Sequence, residues 1–163
     1  MHRGSAATGL MCAFAASLGN SFLGISQDLY ILAYVASLAT KLSDTFASEI
    51  GKAYGKTTFL ITNLKRVPPG TEGAISVEGT VAALFGGAFL SSYALAIGMI
   101  TAPQLIVASV SAFLATNAES WIGATLQEKE GFEWMSNEVV NFINTLIGAS
   151  LALIGGRFIL NMP

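Results

Sequence analysis

KLSDTFASEIGKAYGKTTFLITNLKRVPPGTEGAISVEGT, residues 41–80, is a polar island with apolar segments on both sides. It holds Lys41, Lys52, Lys56, Lys65 and Arg66, five of the chain's eight Lys and Arg residues. Two acids, Asp44 and Glu49, and the turn-forming string Val67-Pro68-Pro69-Gly70-Thr71-Glu72-Gly73 complete it. An otherwise greasy chain has reason to keep such a segment if it handles something charged at a membrane surface.

The rest of the chain is apolar enough to make that membrane certain. Hydrophobic residues make up 53% and charged residues 11%, with a mean hydropathy of +0.62. Soluble domains carry about 25% charged residues. At 163 residues a single integral membrane domain, residues 1–163, is expected. A net charge of −2 gives no footprint for nucleic acid. The lone Cys12 excludes a disulfide framework or a cysteine metal site and reads as a small buried hydrophobe. His2, the single histidine, sits at the terminus, where a catalytic role is not expected. The start of the chain shows no cleavable signal and runs straight into a span.

Working outward from the island, residues 4–26 carry no charge and are long enough for a ~20-residue span. Residues 29–40 are apolar but short, and make a span if the helix continues through Leu42 and Thr45–Ile50, carrying Asp44 and Glu49 into the membrane margin. Residues 79–118 lack charge entirely, enough for two spans with a break at Thr101-Ala102-Pro103. Residues 139–156 form the last, before Arg157. The fold class is therefore all-α, a polytopic bundle of about five transmembrane helices. Gly, Ala and Ser are frequent in it, and small residues let helices approach closely in lipid. No period-2 alternation runs long enough for a membrane barrel.

Five spans place Arg3, Lys41, Lys52, Lys56, Lys65, Arg66 and Lys129 on one face and Arg157 alone on the other. The excess of cations predicts that this face is cytoplasmic or stromal. The polar loops of this active face, about 41–80 and 119–141, converge there, flanked by Trp121 and Trp134 as an interfacial aromatic belt.

Within those loops several residues suit charged ligands. Asp44 and Glu49 are five apart, about 140° around a helix, yet could flank one cation or meet neighbouring helices. Ionisable groups at membrane depth are costly and mark function, although solvated acids in the headgroup zone would read the same way. Lys52 and Lys56 are spaced i, i+4, as if on one helical face, with Lys65-Arg66 further on. Such cations suit phosphate oxygens, or simply orient the protein against anionic lipid. In the Pro-Pro-Gly turn the prolines pre-set φ, and Gly70 and Gly73 supply positive φ with exposed N–H groups. That is a plausible phosphate cradle beside Lys65-Arg66, or a plain turn; no GxxxxGK[ST] string occurs. Ser76-Val77-Glu78-Gly79-Thr80 opens the third span, with Ser76 or Thr80 as a helix cap. Glu119 stands at another span's end. Asn137, Asn141 and Asn144 follow at i, i+4 and i, i+7 on one helix face. Amides inside a span need partners, whether substrate or neighbouring helices.

Taken together, SDTFASEIG, LITNLKRVPPGTEGAISVEGT, ESWIGATLQ and NEVVNFINTLIGA resemble an integral membrane family. It comprises the phytyl-phosphate kinases of cyanobacteria and plastids and the animal transmembrane protein 19. The likeness covers roughly residues 36–150, and the closing string looks most like the cyanobacterial and plastid branch. Glu72, Glu119 and Glu138 stand where the family commonly has Asp, and Ala74 where it has Gly. Family members usually carry further spans before the position of Gly4, so this chain is expected to be a fragment or a short homologue.

The resemblance implies a membrane-bound kinase transferring phosphate from a nucleoside triphosphate, with CTP the expected donor, to phytyl phosphate. The product is phytyl diphosphate, used for tocopherol and phylloquinone. An ionised phosphate acceptor needs no strong base, which suits a chain without a usable histidine. Asp44 and Glu49, with Glu119 as a third, are the expected Mg²⁺ ligands. Lys52, Lys56, Lys65 and Arg66 would hold phosphate oxygens. Pro69, Gly70, Thr71, Glu72, Gly73, Ser76 and Glu78 would form the phosphate-binding wall. Asn137, Asn141 and Asn144 would orient the acceptor phosphate or a metal-bound water, with the prenyl tail between Ala/Gly-lined helices. Two rivals are a small membrane transporter, suggested by the partial likeness of SDTFASEIG to AESWIGATLQ, and a cytidylyltransferase-type lipid enzyme. No oligomeric state is specified by the sequence.

Overall fold

In a computed structural model, residues 3–17, 25–127, 130–132 and 134–163 are described. His2, Lys129 and residues 18–24 of the expected first span lie outside them. Five helices carry the fold: α1 (Arg3–Ser17), α2 (Gln27–Tyr54), α3 (Val77–Ala96), α4 (Ala102–Thr125) and α5 (Asn137–Phe158). Between α2 and α3 a two-stranded antiparallel sheet, β1 (Phe59–Leu60) and β2 (Ala74–Ile75), pairs Phe59 with Ile75 and Leu60 with Ala74. This small hairpin is the departure from a purely helical reading.

Local chemistry sets the helix limits. Ser26 begins α2 by accepting the Leu29 N–H at 3.4 Å. Nothing then interrupts the helix for 28 residues, roughly 42 Å at 1.5 Å per residue. The short apolar run therefore continues through Asp44 and Glu49 as one helix. It stops at Gly55, whose N–H bonds the Gly51 carbonyl at 3.0 Å. Lys56 falls beyond that stop, so it does not share a helical face with Lys52 as the i, i+4 spacing implied. The Ser76 hydroxyl caps α3 by accepting from Gly79 N–H at 3.0 Å. Thr101 and Gln104 form a capping box with Pro103 in the first turn of α4, so the expected break between the third and fourth helices is real. Ser136 caps α5.

Among the described residues three helices, α3, α4 and α5, are long and apolar enough to cross a membrane by length and composition. α2 has ample length but carries Asp28, Lys41, Asp44, Glu49 and Lys52. α1 is described over 15 residues, short of the ~20 a span needs.

α2 is the axis of the bundle and packs against α1, α3, α4 and α5. Small residues close the seams. A Cβ at Gly79 would stand 2.8 Å from the Ala47 carbonyl oxygen, and one at Gly86 would stand 3.0 Å from that of Leu42. α2 and α3 are thus in backbone contact, the close approach that gives van der Waals stability in lipid. The prenyl tail expected between such Ala/Gly-lined helices finds no groove at these positions.

The two ends of the bundle differ. Leu29, Leu32, Val35 and Ala36 of α2 meet Ala94, Ile100, Ala108 and Ala152 in an apolar core at one end. At the other end gather the C-terminal half of α2, the starts of α3 and α5, and the end of α4, with buried polar side chains among them.

Candidate functional site

That polar end encloses a cavity of about 240 Å³. From α2, Lys41, Asp44, Thr45, Ser48, Glu49 and Lys52 line it. The turn before β2 adds Gly70, Thr71, Glu72 and Gly73; Ser76 and Thr80 come from the start of α3. α4 contributes Phe113, Thr116, Asn117, Glu119 and Ser120, and α5 contributes Asn137 and Asn141. Polar residues spread over the chain thus become neighbours because the C-terminal ends of α2 and α4 meet the starts of α3 and α5.

Lys41 lines the cavity and links two of its helices. Its ammonium donates to Asp44 Oδ2 at 2.9 Å, an i, i+3 ion pair along α2. The same ammonium donates to Asn141 Oδ1 on α5, 100 residues away. Asn141 Nδ2 donates to the Asn137 carbonyl at 2.8 Å and to Asn137 Oδ1 at 3.1 Å. The amide is thereby oriented with its oxygen toward Lys41. Glu119 feels the charges of Asp44 and Glu72 as well as those of Lys41 and Lys52.

One residue fixes the turn against this wall. Gly73 has φ +73°, and a Cβ there would stand 2.4 Å from the Ser120 carbonyl oxygen. Both the backbone conformation and the space require glycine. Within the turn the Thr71 N–H and hydroxyl both bond the Pro68 carbonyl, at 3.3 and 2.8 Å, so the Thr71 N–H is engaged locally. The Ala74 N–H bonds the Thr71 carbonyl at 3.0 Å.

Six residues singled out in the sequence lie outside the lining. Lys65 and Arg66 are exposed in the loop between β1 and β2. The Leu60 N–H bonds the Lys65 carbonyl at 2.9 Å, and Arg66 bridges to Phe59. Pro69 is exposed on the turn, and Lys56 meets Glu78 through its backbone N–H at 3.4 Å. Asn144 is fully buried in α5, and neither polar atom of its amide has a hydrogen-bond partner among the described residues. The sequence reading missed Lys41 as a site residue, and with it Thr116, Asn117 and Ser120. The signal was available: polar residues at the end of an otherwise apolar span, on successive turns beside Glu119.

The cavity's donors are oxygens. Asp44 Oδ2 and Asn141 Oδ1 already face a cation, the Lys41 ammonium. Among the described residues no three of His, Cys, Asp and Glu group as a metal site. Mg²⁺ needs only one or two carboxylates, with waters and substrate phosphates filling its octahedron. Asp44 with Glu49 or Glu119 would meet that requirement, whereas no His or Cys among the described lining residues offers the nitrogen and sulfur ligands common in zinc sites.

A helical bundle with membrane-length apolar helices and a charged cavity at one end is the architecture of an integral membrane protein. Residues 3–149 match the family described as integral membrane protein DUF92, and the chain belongs to that family. It is 48% identical over 157 residues to the Arabidopsis thaliana protein VTE6, chloroplastic, covering 96% of this chain and 47% of that one. An uncharacterized membrane protein of Synechocystis is 52% identical over 151 residues, 92% of this chain and 56% of that protein. One of Methanocaldococcus jannaschii is 33% identical over 126 residues, 76% and 50% of the two chains. The chain spans about half the length of the curated relatives it matches. No solved structure matches it significantly.

Proposed function

We propose that the cavity is the phosphoryl-transfer site of a membrane-bound kinase acting on phytyl (prenyl) monophosphate with CTP as donor. The observation that carries this reading is the convergence of Asp44, Glu49, Glu119, Lys41, Lys52, Asn137, Asn141 and the 70–73 turn on one space. Phosphoryl transfer asks a protein mainly for positioning and charge neutralisation, and both are available in that set.

In this reading the acceptor's phosphate oxygen attacks the γ-phosphorus of the nucleotide. The P–O bond to the β-phosphate breaks, and CDP leaves with the electron pair. The acceptor is already ionised, so no side chain need remove a proton. Lys52, at the rim of α2, takes nucleotide phosphate oxygens. Gly70 and Gly73 offer backbone N–H groups from the turn. Asn137 orients the acceptor phosphate. Asp44, with Glu49 or Glu119 as the second carboxylate, would hold Mg²⁺, which would neutralise phosphate oxygens as charge shifts to the leaving group. Lys65, Arg66 and Lys56 serve the rim, where anionic headgroups and the departing nucleotide pass. The prenyl tail stays in lipid outside the closed α2–α3 seam.

All five helices take part in spanning in this proposal, α2 with its charged C-terminal half at the membrane margin. The cavity end, with Lys41, Lys52, Lys56, Lys65 and Arg66, faces the cytoplasm or stroma, and Arg157 the other side. Transport is disfavoured because the acids cluster at one end of the bundle, whereas transporter sites lie near the midplane. The test is an assay on purified membranes with phytyl phosphate, Mg²⁺ and γ-labelled CTP or ATP. Label in phytyl diphosphate with CDP release supports the kinase. Pyrophosphate release identifies a cytidylyltransferase, and ion-gradient-driven flux in liposomes without either product identifies a transporter.

A further inference from the structure

The Lys41 ammonium stands between two oxygens supplied by different helices, Asp44 Oδ2 and Asn141 Oδ1. One is a carboxylate oxygen and the other an amide oxygen, the hard donors a divalent cation takes. Asn141 Oδ1 does not depend on Lys41 for its direction, because its Nδ2 is anchored on the Asn137 carbonyl and side chain at 2.8 and 3.1 Å. Asn141 is itself 3% exposed, so its amide has little freedom to turn. The Lys41 side chain is 21% exposed and lines the cavity. A flexible four-carbon stem lets that ammonium move into the cavity while the two oxygens stay where they are.

We propose that Lys41 is a resident counter-cation: its ammonium holds the place between Asp44 Oδ2 and Asn141 Oδ1 that a divalent cation takes, and passes to a nucleotide phosphate oxygen when that cation binds. Asn141 becomes a direct metal ligand in this scheme. It rests on the phosphotransferase reading for the identity of the anion, and the metal part stands without it. Two consequences follow from charge alone. Metal binding to the free protein is opposed, because the cation must displace an ammonium from its carboxylate. Metal and nucleotide bind cooperatively, because phosphate gives the displaced ammonium a new partner, and the coupling is reciprocal.

The test is binding of Mn²⁺, followed by its magnetic resonance signal, to the full chain purified in detergent, with and without CDP. No turnover is needed. In the wild type, CDP is expected to tighten Mn²⁺ binding about tenfold and Mn²⁺ to tighten CDP by the same factor. Lys41→Met is expected to bind Mn²⁺ alone about tenfold more tightly, through loss of the competing charge, and to lose most of the CDP coupling. Asn141→Leu is expected to weaken Mn²⁺ binding in both the wild-type and Lys41→Met backgrounds, which a purely electrostatic effect of Lys41 would not produce. Three results each overturn the proposal: no mutual tightening in the wild type, Lys41→Met binding Mn²⁺ no better than wild type, or Asn141→Leu without effect. The wild-type coupling needs no variant to fold. If the Mn²⁺ results hold while no phosphate is transferred, the phosphotransferase reading fails and Lys41 keeps its role.

Discussion

Thr116 and Ser43, 73 residues apart, share a hydrogen bond of 3.0 Å between their hydroxyls. Ser43 donates onward to the Ala83 carbonyl at 2.9 Å. Three helices, α4, α2 and α3, are tied at one level, and the next residue along α2 is Asp44. The link fixes the depth of the carboxylate relative to the walls around it. Thr116→Val keeps the shape and removes the donor. It is expected to destabilise the bundle by about 0.6–1.7 kcal/mol, the range for interhelical bonds in membranes, read as a shift in denaturant unfolding in detergent.

Asp44→Asn keeps the size and the i, i+3 contact with Lys41 and removes the charge. Turnover in the phytyl phosphate assay is expected to fall by about a hundredfold or more, as for the loss of a group stabilising transition-state charge. Membrane insertion, followed by protease protection, is expected to be unchanged. Full activity in this variant removes Asp44 from the reaction.

Gly70 and Gly73 separate two reasons for glycine. Both have positive φ, +88° and +73°, yet a Cβ at Gly70 meets nothing within 4 Å while one at Gly73 collides with Ser120 and Ala124 of α4. Gly70→Ala is expected to cost about 1 kcal/mol of backbone strain and leave the cavity intact. Gly73→Ala is expected to lift the turn off α4, raising tryptic cleavage at Lys65 and Arg66. Equal cleavage of the two variants would contradict this packing.

The cations divide by position. Lys52 lines the cavity, and Lys65 does not. Lys52→Met is expected to weaken CDP binding about tenfold, the loss of roughly one charge-assisted hydrogen bond. Lys65→Met is expected to leave CDP binding within twofold of the wild type. Calorimetric titration in detergent distinguishes them, and the opposite order would move the phosphate site to the exposed loop.

Asn144 is fully buried with both amide atoms unpartnered among the described residues. An apolar side chain of the same size is tolerated where a buried polar group has no partner. Asn144→Leu is expected to unfold in denaturant at the same or a higher concentration than the wild type. A loss of more than about 1 kcal/mol would show that the amide is satisfied in the membrane.

The helical architecture was legible because it depends on local rules. Uncharged runs of membrane length, a proline two residues after Thr101, and serines ahead of apolar segments set the elements without reference to other parts of the chain. The continuation of α2 through Asp44 was foreseeable as well, since no breaker stands before Gly51 and Gly55. Lys52 and Lys56 were misread for the converse reason: spacing alone cannot show that a helix ends between them. The acids, the asparagines and the glycine turn could be flagged by residue type, and the family could be recognised from their order.

What the sequence by itself determined is that this chain is a helical membrane protein with its charge gathered at one end. Each of those facts is written in runs of neighbouring residues, and burial in lipid enforces them. The tertiary structure alone decided which polar residues share a space. It brought Asn141 to Lys41 across 100 residues and Gly73 to Ser120, and it left Lys65 and Arg66 outside. Such pairings depend on how helices cross and on which small residues let them touch. A one-dimensional pattern holds the periods of each helix but not the rotation of one helix against the next.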